Sequence, residues 1–281
     1  MRWESERRSD NVEDRRGIGL RGGAIGGGAV VVALVAALLG APEELIRTLL
    51  GGDGVGQRSA PQARSPQEEK LADFVSVILA STEDVWSAVL PASGARYVPP
   101  RLVLFSDAVE SACGMNSAAV GPFYCPPDRK VYLDLSFFAQ LDRRFGAPGD
   151  FAQAYVVAHE VGHHVQNLLG ISARTQNQRA HLSQADGNHV SVQTELQADC
   201  LAGVWAFHAN RTRRMLEPGD VEEGLRAAAA IGDDTLQKAA RGRVVPESFT
   251  HGTSAERTRW LGRGLKSGHV ADCDTFGAGG L

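Results

Sequence analysis

The sequence has no CxxC pair among its four cysteines, Cys113, Cys125, Cys200 and Cys273, which argues against a cysteine-built zinc site or a thioredoxin-like redox motif. It has no basic excess either. With 29 Lys and Arg against 33 Asp and Glu the formal net charge is −4, so no nucleic-acid partner is expected. No internal repeat is visible, which disfavours a solenoid. What remains is the composition of an ordinary globular protein, 43% hydrophobic and 22% charged. Setting aside an unusual first third, its 281 residues leave room for one domain with a substantial core.

Four segments follow from composition. Residues 1–21 interleave Arg with Asp and Glu, carry little apolar content beyond Trp3, and read as a solvated cytoplasmic tail. Residues 22–41 contain no charge, and at about 1.5 Å rise per residue a helix of this length just crosses a hydrocarbon layer of about 30 Å. Residues 42–65 become rich in Gly, Ser, Pro and Gln, as linkers are, and residues 66–281 form the folded domain. Arg15, Arg16 and Arg21 precede the apolar run and Glu43 and Glu44 follow it, which keeps the N-terminus cytoplasmic and exports the domain. A cleaved signal peptide and a buried core helix compete with the single-pass anchor. The first is disfavoured by the long mixed-charge start and by Pro42 after the small residues Gly40 and Ala41.

Within the domain, apolar residues at helical spacing predict a long amphipathic helix over 68–90. Short β-like runs follow at 101–105 and 130–135, separated by a loop containing Cys113, Cys125, Pro126 and Pro127. From Phe151 onward the pattern is mostly helical, giving an α+β class dominated by helices. The run 130–135 is a candidate edge strand for holding an extended peptide substrate.

The chemistry concentrates at His159-Glu160-Val161-Gly162-His163. Asp150 and Gln153 form a candidate capping box upstream and Gly170 a candidate stop, so a helix is expected independently of the motif. On a helix, positions i and i+4 share a face, so both imidazoles can reach one zinc ion while Glu160 stands beside the metal and its water. Downstream, Glu195 and Asp199 are again one turn apart on a helix expected over 191–207. Glu195 is the candidate third ligand. Asp199 is the candidate acceptor for the outer nitrogen of His159, and small residues Ala198, Ala202 and Gly203 would let the two helices approach. A three-histidine metzincin site is excluded, because Gln166 and Leu169 stand where it needs Gly and His.

These motifs, HEVGHH with ELQADC, resemble the gluzincin pattern and more narrowly the putative neutral zinc metallopeptidase family of bacteria. Similarity extends to Met1 to Glu4, Ser9 to Gly17, GPFYCP at 121–126 and CDTF at 273–276. The resemblance implies a zincin-like metallopeptidase domain behind one N-terminal transmembrane helix, Zn2+ as cofactor and a peptide or protein as substrate. Thr250-His251 with Arg257 resembles a Thr-His-Pro segment of other membrane-associated gluzincins, with Gly252 in place of the proline, and implies that His251 donates to the oxyanion.

Export would place the cysteines in an oxidising compartment, where Cys113 is expected to pair with Cys125 and Cys200 with Cys273. Four reduced, buried thiols are the alternative. Two other functions stay open: a zinc amidase acting on cell-wall peptides, and a non-catalytic membrane-anchored zinc module. Cleavage within the bilayer is disfavoured, since no second span shelters the polar motif.

Overall fold

The structure is a computed structural model and describes residues 1–17 and 64–277. The apolar run 22–41 and all but the end of the linker 42–65 lie outside the described residues.

Helix α1 (Pro66–Val89) opens the domain: the Ser65 side chain accepts from the Glu68 N–H and a proline occupies the first turn. It buries Phe74, Val75, Ile78, Leu79 and Trp86. By length and composition it is the one described helix able to cross a membrane, yet 72% of its apolar window is already buried inside the fold. Its hydrophobicity serves the core.

Four strands, β1 (Val12–Asp14), β2 (Arg101–Phe105), β6 (Lys130–Asp134) and β5 (Phe123–Cys125), form one sheet in the order β1-β2-β6-β5. β1 and β6 run parallel to β2, and β5 is antiparallel to β6. β2 and β6 are apolar on both faces because both faces are covered. Leu102, Leu104, Val131 and Leu133 enter the main core, whereas Val103, Phe105 and Tyr132 join a smaller one with Val109 and Cys125. Strands β3 (Ala108–Ser111) and β4 (Gly114–Ser117) make a separate hairpin. The strand at 130–134 is therefore interior, paired on both sides, and cannot be the substrate-binding edge. The edge beside it is β5, too short to show in a local pattern.

The first residues are no solvated tail. Trp3 is buried edge-to-face on Phe74, with ring centroids 5.1 Å apart, and β1 pairs with β2 in register Val12 to Leu102. Arg7 donates to Glu83 at 2.8 Å, Arg8 to Asp73 at 2.6 Å and 2.8 Å, and Ser9 to Glu83 at 2.5 Å. Arg7, Arg8 and Ser9 thus find partners 65 to 77 positions away, which no local inspection can see.

Glu13 in β1 makes a measurable test of this docking. Partial burial would raise its pKa, but Lys130, Arg15 and Arg101 outweigh that and hold it at about 2. A carboxylate with a depressed folded pKa stabilises above its unfolded value near 4.5 and loses that contribution as pH falls toward about 2. Glu13→Gln should therefore cost roughly 1–2 kcal/mol at neutral pH, after allowance for solvent screening. The wild type and variant should converge as urea midpoints are followed down from pH 5 to acid. A constant gap would contradict the ion-pair account.

The C-terminal half is helical: α2 (Ser136–Arg143), α3 (Asp150–Leu168), α4 (Ile171–Arg179), α5 (Gln184–Arg213), α6 (Asp220–Ala230), α7 (Asp233–Arg241) and α8 (Ser254–Ser267). α5 extends well beyond the expected 191–207 and lies between α3 and α8. A methyl on Gly162 would stand 3.0 Å from the Ala198 carbonyl oxygen, so this glycine sets the α3–α5 approach. Gly203 instead faces α8, where a methyl would come within 2.3 Å of the Leu261 oxygen. Cys113–Cys125 and Cys200–Cys273 stand at disulfide distance, 2.11 Å and 2.00 Å, in the expected pairing.

Candidate metal centre

Helix α3 carries the histidine motif from a start that differs from expectation. Gly149, at φ 121°, is the N-cap and offers no side-chain hydrogen bond, so Asp150 and Gln153 form no capping box. Asp150 binds the Met1 ammonium at 2.8 Å and 3.0 Å instead, a charge that also faces Glu217 and Asp220. Beyond that turn Val157, Val161 and Val165 seat the helix in the core and turn His159 and His163 toward α5.

There the imidazoles meet Glu195. The Nε2 atoms of His159 and His163 are 3.2 Å apart, and Glu195 places Oε2 3.2 Å from the first and Oε1 3.3 Å from the second. One ligand atom from each of the three residues lies within 4.8 Å of the others. The outer nitrogens are committed. His159 Nδ1 lies 2.8 Å from Asp199 Oδ1 and His163 Nδ1 2.8 Å from Gln166 Oε1. Gln166 spends its amide hydrogens on the Thr194 carbonyl and Gln197, which fixes its oxygen toward His163. Both partners are acceptors, so both Nδ1 atoms carry protons and both Nε2 lone pairs point at each other and at a carboxylate. Such a convergence is stable only around positive charge. Burial alone lowers an imidazole pKa, yet the Asp199 and Glu195 carboxylates outweigh it and raise that of His159 to about 10. The same field suits a cation bound by two nitrogens and an oxygen, a donor set that fits zinc.

Asp199 anchors this arrangement. It is fully buried and accepts from His159, from the Tyr155 hydroxyl at 2.5 Å, and from Arg257 Nε and Nη2 at 2.8 Å and 2.9 Å. Burial would raise its pKa, but the Arg257 guanidinium and His159 hold it at about 2. The motifs assign no partner to Tyr155 or Gln166, and Arg257 enters them only through the likeness of the Thr250-His251 segment. Tyr155 was detectable, one turn before His159 on the same face; Gln166 was detectable too, three residues after His163. The contribution of Arg257 depends on α8 crossing α5, which has no local signature.

Glu160 is 8% exposed, lines the cavity beside the cluster and accepts no hydrogen bond from another described residue. Burial pushes its carboxyl pKa up. His251 lines the same cavity of about 1250 Å³, half exposed. Its ring Nδ1 lies 3.3 Å from Asp233, whose other oxygen accepts backbone N–H bonds from Thr250, His251 and Gly252. Gly252 adopts φ 91° and donates its N–H, and a proline could do neither. The replacement noted in the sequence thus belongs to a different local turn that still presents His251. His164 is a packing residue: it is buried, its pKa is lowered to about 4 by that burial, and it bridges Val98 and Tyr124. With Asn167, which donates to the Tyr124 hydroxyl at 2.8 Å, it ties edge strand β5 to the motif helix.

The sequence profile described as putative neutral zinc metallopeptidase matches residues 1–276. The chain is 48% identical over 288 aligned positions to the uncharacterized protein YpfJ of Escherichia coli K12, covering 99% of both. It is 46% identical over 211 positions to the uncharacterized protein Rv2575 of Mycobacterium tuberculosis H37Rv, covering 72% of this chain and 69% of that one. No solved structure matches. A match over nearly the whole length, with a relative of this identity, shows that the chain belongs to the putative neutral zinc metallopeptidase family, whose cofactor is Zn2+.

Proposed function

We propose that the protein is a zinc-dependent peptidase with a zincin-like centre, in which His159, His163 and Glu195 hold Zn2+ and Glu160 is the general base. The observation that carries this reading is the pair of facing Nε2 lone pairs, both outer nitrogens being committed elsewhere. Zinc bound there supplies Lewis acidity toward the scissile carbonyl and the attacking water.

The protein's own groups perform the rest. Glu160, buried and without a competing partner, takes the proton of the water that attacks the carbonyl carbon, then delivers it to the amide nitrogen as the C–N bond breaks. Its raised pKa brings it nearer the pH at which it must both accept and release that proton. Asp199, itself gripped by Arg257 and Tyr155, keeps His159 in the tautomer that turns Nε2 to the metal. His251, steadied by Asp233, donates to the oxygen that gains negative charge. The cavity accommodates several residues of an extended peptide, and the free edge of β5 lines it through Phe123 and Tyr124.

Digestion of a mixed peptide library by the full chain tests this. Internal cleavage should stop when a chelator removes the metal and return on adding zinc. His251→Ala should lower kcat by roughly 10²-fold or more with little change in KM, as loss of an oxyanion donor does. Cleavage that persists without metal would overturn the reading, and an effect of His251→Ala confined to KM would remove its oxyanion role.

A further inference from the structure

The cavity that holds the metal cluster is uneven in charge. Helix α3 lines it on successive turns at Val156, Glu160, His163 and Asn167. Between the first and last of these a helix rises about 16 Å, the length of about five residues of extended chain. The acidic side chains in the wall, among the described residues, are Glu160 and Glu195, and both belong to the metal centre. Three arginines line it as well. Arg257 is spent on Asp199, whereas Arg144 and Arg179 make no ion pair with any described residue. Arg144 follows α2 and lies over the Phe145 ring, 5.5 Å from its centroid, and Arg179 closes the last turn of α4; both are exposed. They come from separate elements, one before α3 in the chain and one after it, and no carboxylate of the wall offsets them. A cleft whose unpaired charges share one sign draws in the opposite sign.

We propose that the substrate is an acidic peptide, an extended chain with Asp or Glu side chains near the scissile bond, and that Arg144 and Arg179 are the residues that select it. This rests on the reading of the cavity as a peptide site and adds the class of peptide. A guanidinium meets a carboxylate through two parallel N–H bonds, and the Phe145 face beside Arg144 helps to hold the guanidinium in place. A basic peptide meets two like charges there with no free carboxylate to answer it, which is discrimination by repulsion as well as attraction.

Binding is measured on the full chain carrying Glu160→Gln and loaded with zinc, so that turnover does not consume the probe. Three fluorescent peptides of one sequence, amidated at the C-terminus so that only side chains differ, carry Glu, Gln or Lys at the positions around their centre. The Glu peptide should bind roughly 10-fold more tightly than the Gln peptide at low salt, the Lys peptide more weakly than either, and added salt should shrink the difference. Adding Arg144→Glu with Arg179→Glu should invert the order. Arg226→Glu with Arg263→Glu, exposed and outside the cavity, changes the net charge equally and should leave the order intact. Equal affinities, or an order that survives charge reversal inside the cavity, overturn the proposal. The wild-type chain then digests the mixed peptide library. Cut sites without enrichment of Asp or Glu overturn the acidic preference and leave the peptidase, whereas preferred binding of the Glu peptide with no cleavage in the library overturns the peptidase and leaves the recognition.

Discussion

Glu160→Gln is expected to reduce kcat by about 10²- to 10⁴-fold, the usual contribution of a positioned general base, while zinc content stays the same. Stability should hold or rise slightly. The wild-type carboxylate is buried without a hydrogen-bond partner among the described residues, so a neutral amide of the same shape removes a desolvation cost. Three outcomes separate three roles. Lost turnover with retained zinc identifies the base, lost zinc identifies a ligand, and no change identifies a structural metal site that never needed Glu160. The last outcome would favour the non-catalytic module over the peptidase.

The second large effect is expected at Arg257, which reaches the proposed ligand His159 through Asp199. Arg257→Ala leaves the Asp199 carboxylate fully buried with its main counter-charge gone, a change that typically costs about 3–5 kcal/mol. For a domain of this size that corresponds to a fall in Tm of roughly 10 °C or more. Zinc affinity should fall by about 10- to 100-fold, because His159 loses a firmly held partner. Arg257→Lys should rescue only part of both losses, since an ammonium cannot reproduce the two parallel N–H bonds to Asp199. A variant that melts normally and binds zinc as wild type does would show that Asp199 needs no help from α8.

The convergence of His159, His163 and Glu195 was largely legible in the sequence because its parts are local. His159 with His163 and Glu195 with Asp199 are each one helical turn apart, and helical periodicity orients such pairs without reference to the fold. The strands at 101–105 and 130–134 were legible for a similar reason, being compact apolar runs. What escaped depends on distant partners. The mixed charges of residues 1–15 look solvated until Glu83, Asp73 and Lys130 are brought to them. The interior position of β6 depends on β5, three residues long, and the capping box at Asp150 gave way to an ammonium arriving from Met1.

X-ray absorption at the zinc edge of the purified full chain tests the central claim most directly. The account predicts about one zinc per chain in a shell of nitrogen and oxygen only, near 2.0–2.1 Å, with imidazole scattering that diminishes in His163→Ala. A sulfur shell near 2.3 Å, or a spectrum indifferent to His163 and Glu195, would place the metal elsewhere and contradict it.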